Sequence, residues 1–228
     1  MFSRERIDLG AACCGLLLAV FFAVSAPAGA ARMGAVGRML EQNAQELARY
    51  SWKSRIEISV DGALVQSTLV RAAYDRMGLL VATPLPDDSK AVKGSKKLKK
   101  KVRAFHAELQ ALTRSYFELD PQRMQAALAH AHAWEGQGEN GDLLHIQARG
   151  VIRQADKLDL WLDSVTNRPQ RLQVLTSLEG EPVRLTARFA QLDDGPSYAA
   201  ETVVETELKE KTMVVRTESF EHTLRDDG

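Results

Sequence analysis

The sequence predicts an α+β fold: a curved antiparallel β-sheet, a half-barrel, with helices covering its concave face. Three observations carry that expectation. From about Leu143 to Phe220 the chain reads as one short strand after another, separated by turn residues. A second alternating block, Trp52 to Thr83, precedes it. Between them, over about residues 95–135, the apolar spacing is helical, which suggests a helical insertion laid on one face of a sheet.

The chain begins with a targeting pattern. Arg4 and Arg6 precede an uncharged stretch from Leu9 to Ala31, greasiest at Leu16–Phe22, although Glu5 and Asp8 weaken the leading charge. Ala26-Pro27-Ala28 and Ala28-Gly29-Ala30 both fit the small-x-small rule for signal peptidase. Residues 1–30 are therefore expected to be a cleaved signal peptide, and residues 31–228 one periplasmic domain. The alternative is an uncleaved N-terminal membrane anchor, because the uncharged stretch is long enough to span a bilayer. Both cysteines, Cys13 and Cys14, lie inside this segment. Gly10-Ala11-Ala12-Cys13 precedes the apolar core rather than following it, which argues against lipidation. The chain beyond it has no thiol for a disulfide or a thiolate metal site, so its own core must hold the fold.

Val36, Met39, Leu40, Ala44 and Leu47 recur at helical spacing, predicting an amphipathic helix over about 34–49 whose stripe packs on the sheet. The period then becomes two. Trp52, Ser54, Ile56, Ile58 and Val60 share one face of a strand, opposite Lys53, Arg55, Glu57 and Ser59. Asp61-Gly62 is a hairpin turn, since both residues tolerate positive φ. A return strand over about 64–74, a turn at Arg76-Met77-Gly78 and a short strand over 79–83 follow. Pro84 and Pro86 end that strand, because proline donates nothing to a ladder.

Eight cations then fall between Lys90 and Arg103. Leu98, Val102, Phe105, Leu109, Leu112 and Tyr116 are spaced 4, 3, 4, 3 and 4 apart, an amphipathic helix. Asp120 and Pro121 suit the N-cap and first position of a second helix, carrying Met124, Leu128 and Ala131 and ending before Gly136-Gln137-Gly138. Five alternating runs follow: Leu144–Ala148, Leu158–Leu162, Leu172–Leu178, Val183–Phe189 and Tyr198–Glu205, then a sixth from Thr212 to Phe220. Turns at Ser164–Pro169, Glu179-Gly180-Glu181 and Asp193-Asp194-Gly195-Pro196 separate them. The total is roughly nine strands whose short connections make neighbours antiparallel. A meander with one apolar face curls into a barrel or half-barrel.

No residue pattern specifies catalysis or a cofactor. Thirty basic residues balance thirty acidic ones, which removes the global electrostatic footprint of a nucleic-acid-binding chain. His130 and His132 are two apart on the expected helix and so do not share a face; with His106, His145 and His222 they read as surface histidines, not metal ligands. Asp159 and Asp163, four apart on a strand, are roughly 13 Å from each other, too far for a catalytic carboxylate pair. They read as a solvated face and a turn cap. Gly136-x-Gly138-x-x-Gly141 has dinucleotide-loop spacing but follows a helix and precedes a strand, the reverse of the required context, and reads as a loop. Ser115 and Ser177 lack the glycines of a nucleophile elbow. The lysine run reads first as a solvated face. Its functional reading is contact by Lys96, Lys97, Lys99, Lys100 and Lys101 with an anionic membrane surface or an acidic envelope partner.

The segment Leu160-Trp161-Leu162-Asp163, then Thr166-Asn167-Arg168-Pro169-Gln170-Arg171-Leu172, is similar to the recurring strand–turn–strand of the bacterial outer-membrane lipoprotein carrier and lipoprotein-sorting superfamily. Asp163 and Thr166 can bond turn amides, and Pro169 fixes φ where the next strand starts. The order of helix, hairpin block, helical insertion and long meander resembles that superfamily too. Tyr50-Ser51-Trp52 leading into a strand looks like exported bacterial proteins of the same general shape. The resemblance implies an incomplete, strongly curved sheet closed by helices, with an apolar cavity for lipid or acyl chains. It matches no residue of the carrier's functional set one for one.

The expected function is therefore non-enzymatic binding or carriage of a lipid, acyl chain or other apolar ligand, with no cofactor. Trp52, Ile56, Ile58, Phe105, Leu109, Leu160, Leu162 and Phe189 are the candidate lining. The alternative is a structural or regulatory envelope protein that binds another protein through a sheet edge or the lysine-rich helix. An enzyme is the third reading.

Overall fold

The computed structural model describes residues 28–75, 80–85, 96–117, 121–138, 141–208 and 210–225. Most of the expected signal peptide, including Cys13 and Cys14, lies outside these residues, as do the turn at Arg76-Met77-Gly78 and the Asp120 cap. Among the described residues no helix is long and apolar enough to cross a membrane.

The element order is α1 (Ala28–Leu47), β1 (Tyr50–Val60), β2 (Ala63–Tyr74), β3 (Leu80–Pro84), α2 (Lys96–Phe117), α3 (Pro121–Ala129), β4 (His132–Gly138), β5 (Gly141–Arg149), β6 (Lys157–Asp163), β7 (Pro169–Leu178), β8 (Glu181–Gln191), β9 (Ser197–Glu207) and β10 (Thr212–Leu224). The strands form one antiparallel sheet in the order β3-β2-β1-β10-β9-β8-β7-β6-β5-β4. It is open, with β3 at one edge and β4 at the other. Two meanders meet where β1 pairs with β10, Val60 opposite Met213 and Tyr50 opposite Leu224.

This order dictates where the helices go. The chain leaves β3 at one edge and must enter β4 at the other, nine strand spacings away, or roughly 43 Å along the sheet. The 22-residue α2 supplies about 33 Å of that crossing. Its apolar stripe turns to the sheet: Val102, Phe105, Leu109, Leu112 and Tyr116 are all buried. Register shifts at Ser51/Lys53, Ile58/Ser59, Trp161/Leu162 and Arg188/Phe189 bend the strands and accentuate the curl. The fold is the α+β half-barrel with helices on the concave side.

The turns follow their sequences. Asp61 and Gly62 take φ of 49° and 76°, closing a two-residue hairpin. At the β6–β7 turn, Oδ1 of Asp163 accepts from the amides of Val165 and Thr166 and from the Thr166 hydroxyl at 3.1, 2.7 and 2.8 Å.

Three expectations need correction in one place. The second helix ends at Ala129, not near Gly136, and the chain runs into β4, giving ten strands rather than nine. His130 and His132 are therefore not helical neighbours: the first is in a turn and the second opens β4. Gly136 and Gly138 lie in a strand paired with β5, Gly136 opposite Leu143 and Gly138 opposite Gly141, not in a loop. The alanines from Ala126 to Ala133 favour a helix, but pairing of His132–Gly138 against Gly141–Gln147 outweighs that local preference.

Candidate functional site

Between the sheet and the three helices lies a cavity of about 1800 Å³. Its existence follows from side-chain size on the inward face. Across the middle strands that face carries Ala199 and Thr202 on β9, Thr217 and Ser219 on β10, Ser54 on β1 and Ala72 on β2. Thr202 stands opposite Thr217, and Ser54 opposite Ser219. Short residues facing one another leave space that the helices above do not fill. The two serine hydroxyls lie 3.2 Å apart and share one hydrogen bond, which either can donate, so the floor is less polar than its composition. Ile146, Leu160 and Leu172 supply larger apolar wall on β5 to β7.

The same space explains α1. Its predicted stripe is only partly buried: Val36 is fully enclosed, Leu40 and Leu47 are half-buried, and Ala44 is exposed. The cavity lies on Leu40, Ala44 and Leu47, while Val36 is in the core and Met33 and Leu40 pack partly against it. Two side-chain anchors hold the roof over the floor. The Asn43 amide donates to the carbonyl of Ser197 at 2.9 Å and accepts from its amide at 2.6 Å, fixing α1 to β9. Arg32 pairs with Glu135 at 2.6 Å, fixing α1 to β4.

One end of the cavity is aromatic. Trp52 lies 5.8 Å from Tyr74 and 5.9 Å from His222, and His222 lies 3.9 Å from Tyr198. His106 of α2 lines the same space. Burial holds the imidazoles of His106 and His222 below their ordinary pKa, and neither Nε2 has a hydrogen-bond partner. Neutral rings are thus part of an apolar lining, not surface histidines.

The candidate lining residues divide. Trp52, Ile56, Leu109, Leu160 and Phe189 are on the cavity wall. Ile58, Phe105 and Leu162 are packed into the core beside it. Alternation assigns a residue to the inward face, but not to the part of that face which is covered. The lysine group begins α2, where Lys101 is exposed; the side chains of Lys96, Lys97, Lys99 and Lys100 lie outside the described residues.

On the outer face, Asp159 also departs from expectation. It is 4% exposed rather than solvated. His145 Nε2 lies 2.9 Å from Oδ1, the Gln147 amide donates to the same oxygen at 2.8 Å, and Lys157 sits 3.3 Å from Oδ2. Burial raises this carboxyl's pKa, but those three partners outweigh burial and the net shift is downward. His145 itself stacks on Trp161 at 4.4 Å between centroids and meets Trp134 edge-on at 4.0 Å.

No family model matches the chain, and no curated protein matches it. Solved structures do. The chain is similar to a LolA superfamily protein from Nitrosomonas europaea, at 14% identity over 83% of this chain and 95% of that one, with a TM-score of 0.39. It is similar to a domain assigned to outer membrane lipoprotein sorting from Vibrio parahaemolyticus, at 10% identity over 87% and 94%, TM-score 0.46. A DUF1329 family protein from Desulfovibrio piger is 11% identical over 86% and 94%, TM-score 0.46.

Proposed function

We propose that this chain is an exported periplasmic binding protein that holds a lipid, an acyl chain or another apolar ligand non-covalently, without catalysing a reaction on it. The observation that supports this most is the cavity of about 1800 Å³ between sheet and helices, with a predominantly apolar wall. Pockets for drug-sized molecules are about 300–1,000 Å³. A larger space suits a ligand with one or more long chains. Each wall atom facing empty space forfeits dispersion contacts, so a ligand that fills the space stabilises the folded state. Residues 31–228 act as one domain in this reading, and the N-terminal Arg4, Arg6 and Leu16–Phe22 pattern carries the export.

The test is mass spectrometry of an organic extract of the protein, purified from the periplasm without detergent. A stoichiometric apolar molecule is the expected result and identifies the ligand class. An empty extract, together with no thermal shift on adding phospholipids or fatty acids, overturns the proposal.

A further inference from the structure

The rungs of the sheet can be followed across its outer face, away from the cavity. One rung runs Trp134, His145, Trp161, Arg171, Arg188 and Glu201 over β4 to β9. Its ring stack ends on the Arg171 guanidinium, 5.1 Å above Trp161, which also donates to Gln173 at 3.2 Å. Arg171 is therefore held in place rather than free to swing into solvent. Directly opposite it on β8 stands Arg188. Like charges in that position destabilise a strand pair unless something lies between them.

The neighbouring acids are engaged elsewhere. Glu205 accompanies Arg184 at 4.0 Å, and Glu201 accompanies Arg216 at 3.6 Å. Arg188 has no ion-pair partner among the described residues. On the adjacent rung, Thr186 faces Val203. These two short side chains between the long ones leave a hollow of about 490 Å³. Its walls carry four arginines against two glutamates, a formal excess of two positive charges.

We propose that this hollow on the outer face of β7 to β10 binds the phosphoryl group of a phosphate ester, gripped between Arg171 and Arg188. Both arginines line the hollow from adjacent strands, and guanidinium groups donate N–H bonds to the oxygens of a tetrahedral oxyanion. The Thr186 hydroxyl adds a donor at the floor, and Arg184 and Arg216 deepen the positive potential at the rim. The hollow has more room than one oxyanion fills, leaving space for the group to which it is esterified. The bound anion also relieves the Arg171–Arg188 repulsion. The site is on the opposite face from the cavity, so it stands independently of the apolar-ligand reading.

The ester is either a soluble molecule or a phospholipid headgroup, and two probes separate these sources. Glycerol 3-phosphate is titrated into the purified protein by calorimetry at low salt. Phosphatidylcholine vesicles with and without phosphatidylglycerol are assayed by co-sedimentation. Saturable binding of at least one phosphate probe is expected, weakened by about tenfold or more in Arg188→Ala and Arg171→Gln. It should be unchanged in Arg55→Ala, which removes an outer-face cation away from the hollow. Binding of glycerol 3-phosphate identifies a soluble ester; binding confined to phosphatidylglycerol vesicles identifies a headgroup. The proposal is overturned if neither probe binds saturably, or if Arg188→Ala binds as the wild type does. Arg188 is exposed, so its removal leaves the core intact.

Discussion

Tyr116, in the last turn of α2, donates a 2.5 Å hydrogen bond to Oδ2 of Asp156, which sits before β6 and is 2% exposed. The same oxygen accepts from the amides of Ile152 and Arg153 at 3.2 and 2.6 Å, and Oδ1 accepts from the Thr176 hydroxyl at 2.6 Å. One carboxylate therefore orders the β5–β6 connection, ties it to β7 and anchors the far end of α2. Burial first, and the Asp156 bond second, raise the Tyr116 pKa above its ordinary 10.0.

Removal of the carboxylate should cost more than removal of the phenol. Asp156→Ala strands four donors and is expected to lose about 2–4 kcal/mol, while Tyr116→Phe loses about 1–2 kcal/mol. Urea denaturation at neutral pH measures both, and the reverse ranking would contradict the anchor. Because the folded phenol's pKa is raised, its contribution is present below pH 10.0 and lost as pH rises through the folded value. Tyr116→Phe should flatten the alkaline fall in stability.

The two cavity histidines predict an acid-side slope. Both are depressed below 6.5, so the unfolded chain takes up protons before the folded one does. Stability is then full above about pH 6.5 and falls as pH drops toward the folded values. Thermal melts from pH 7.5 down to 5 should show that fall, with a shallower slope in His106→Gln and His222→Gln. Parallel curves in wild type and both variants would rule out burial of neutral imidazoles as its source.

Asp159 acts at lower pH. Its net pKa is lowered, so its stabilisation is present above the unfolded value and lost as pH falls through the folded one. Asp159→Asn is expected to cost about 1–2 kcal/mol at pH 7 and to remove part of the denaturation below pH 4. The Trp134–His145–Trp161 stack rests on this group, so near-ultraviolet circular dichroism should also change. An unaltered spectrum would separate the stack from the carboxylate.

The cavity predicts a contrast between two tryptophans. Thr202→Trp projects into open space from the floor and should leave the protein folded while cutting the amount of co-purified apolar ligand. Ile58→Trp enters a site with no exposure at all, and should cost about 1–3 kcal/mol or more through overpacking. Full ligand occupancy in folded Thr202→Trp would place the ligand elsewhere.

The sequence by itself determined the elements and their inward faces, because alternation and helical spacing are local properties of a chain. The 4, 3, 4, 3, 4 spacing from Leu98 to Tyr116 became the buried stripe of α2 from Val102 onward, and Asp61-Gly62 and Asp163–Pro169 became turns as their chemistry requires. The small residues Ser54, Ala72, Thr202, Thr217 and Ser219 were also visible, and their recurrence on inward positions was a signal of unfilled space. What only the tertiary structure decided depends on which strands become neighbours. Pairing with β5 made a strand of the alanine-rich segment after Ala129. Rung alignment placed Asp159 opposite Gln147 and diagonal to His145, and set Arg171 opposite Arg188. Pairing of β1 with β10 joined five scattered short side chains into one floor. A residue's period gives its face, but burial, like-charge apposition and an empty volume belong to the set of side chains that meet there, and the assembled sheet alone brings those together.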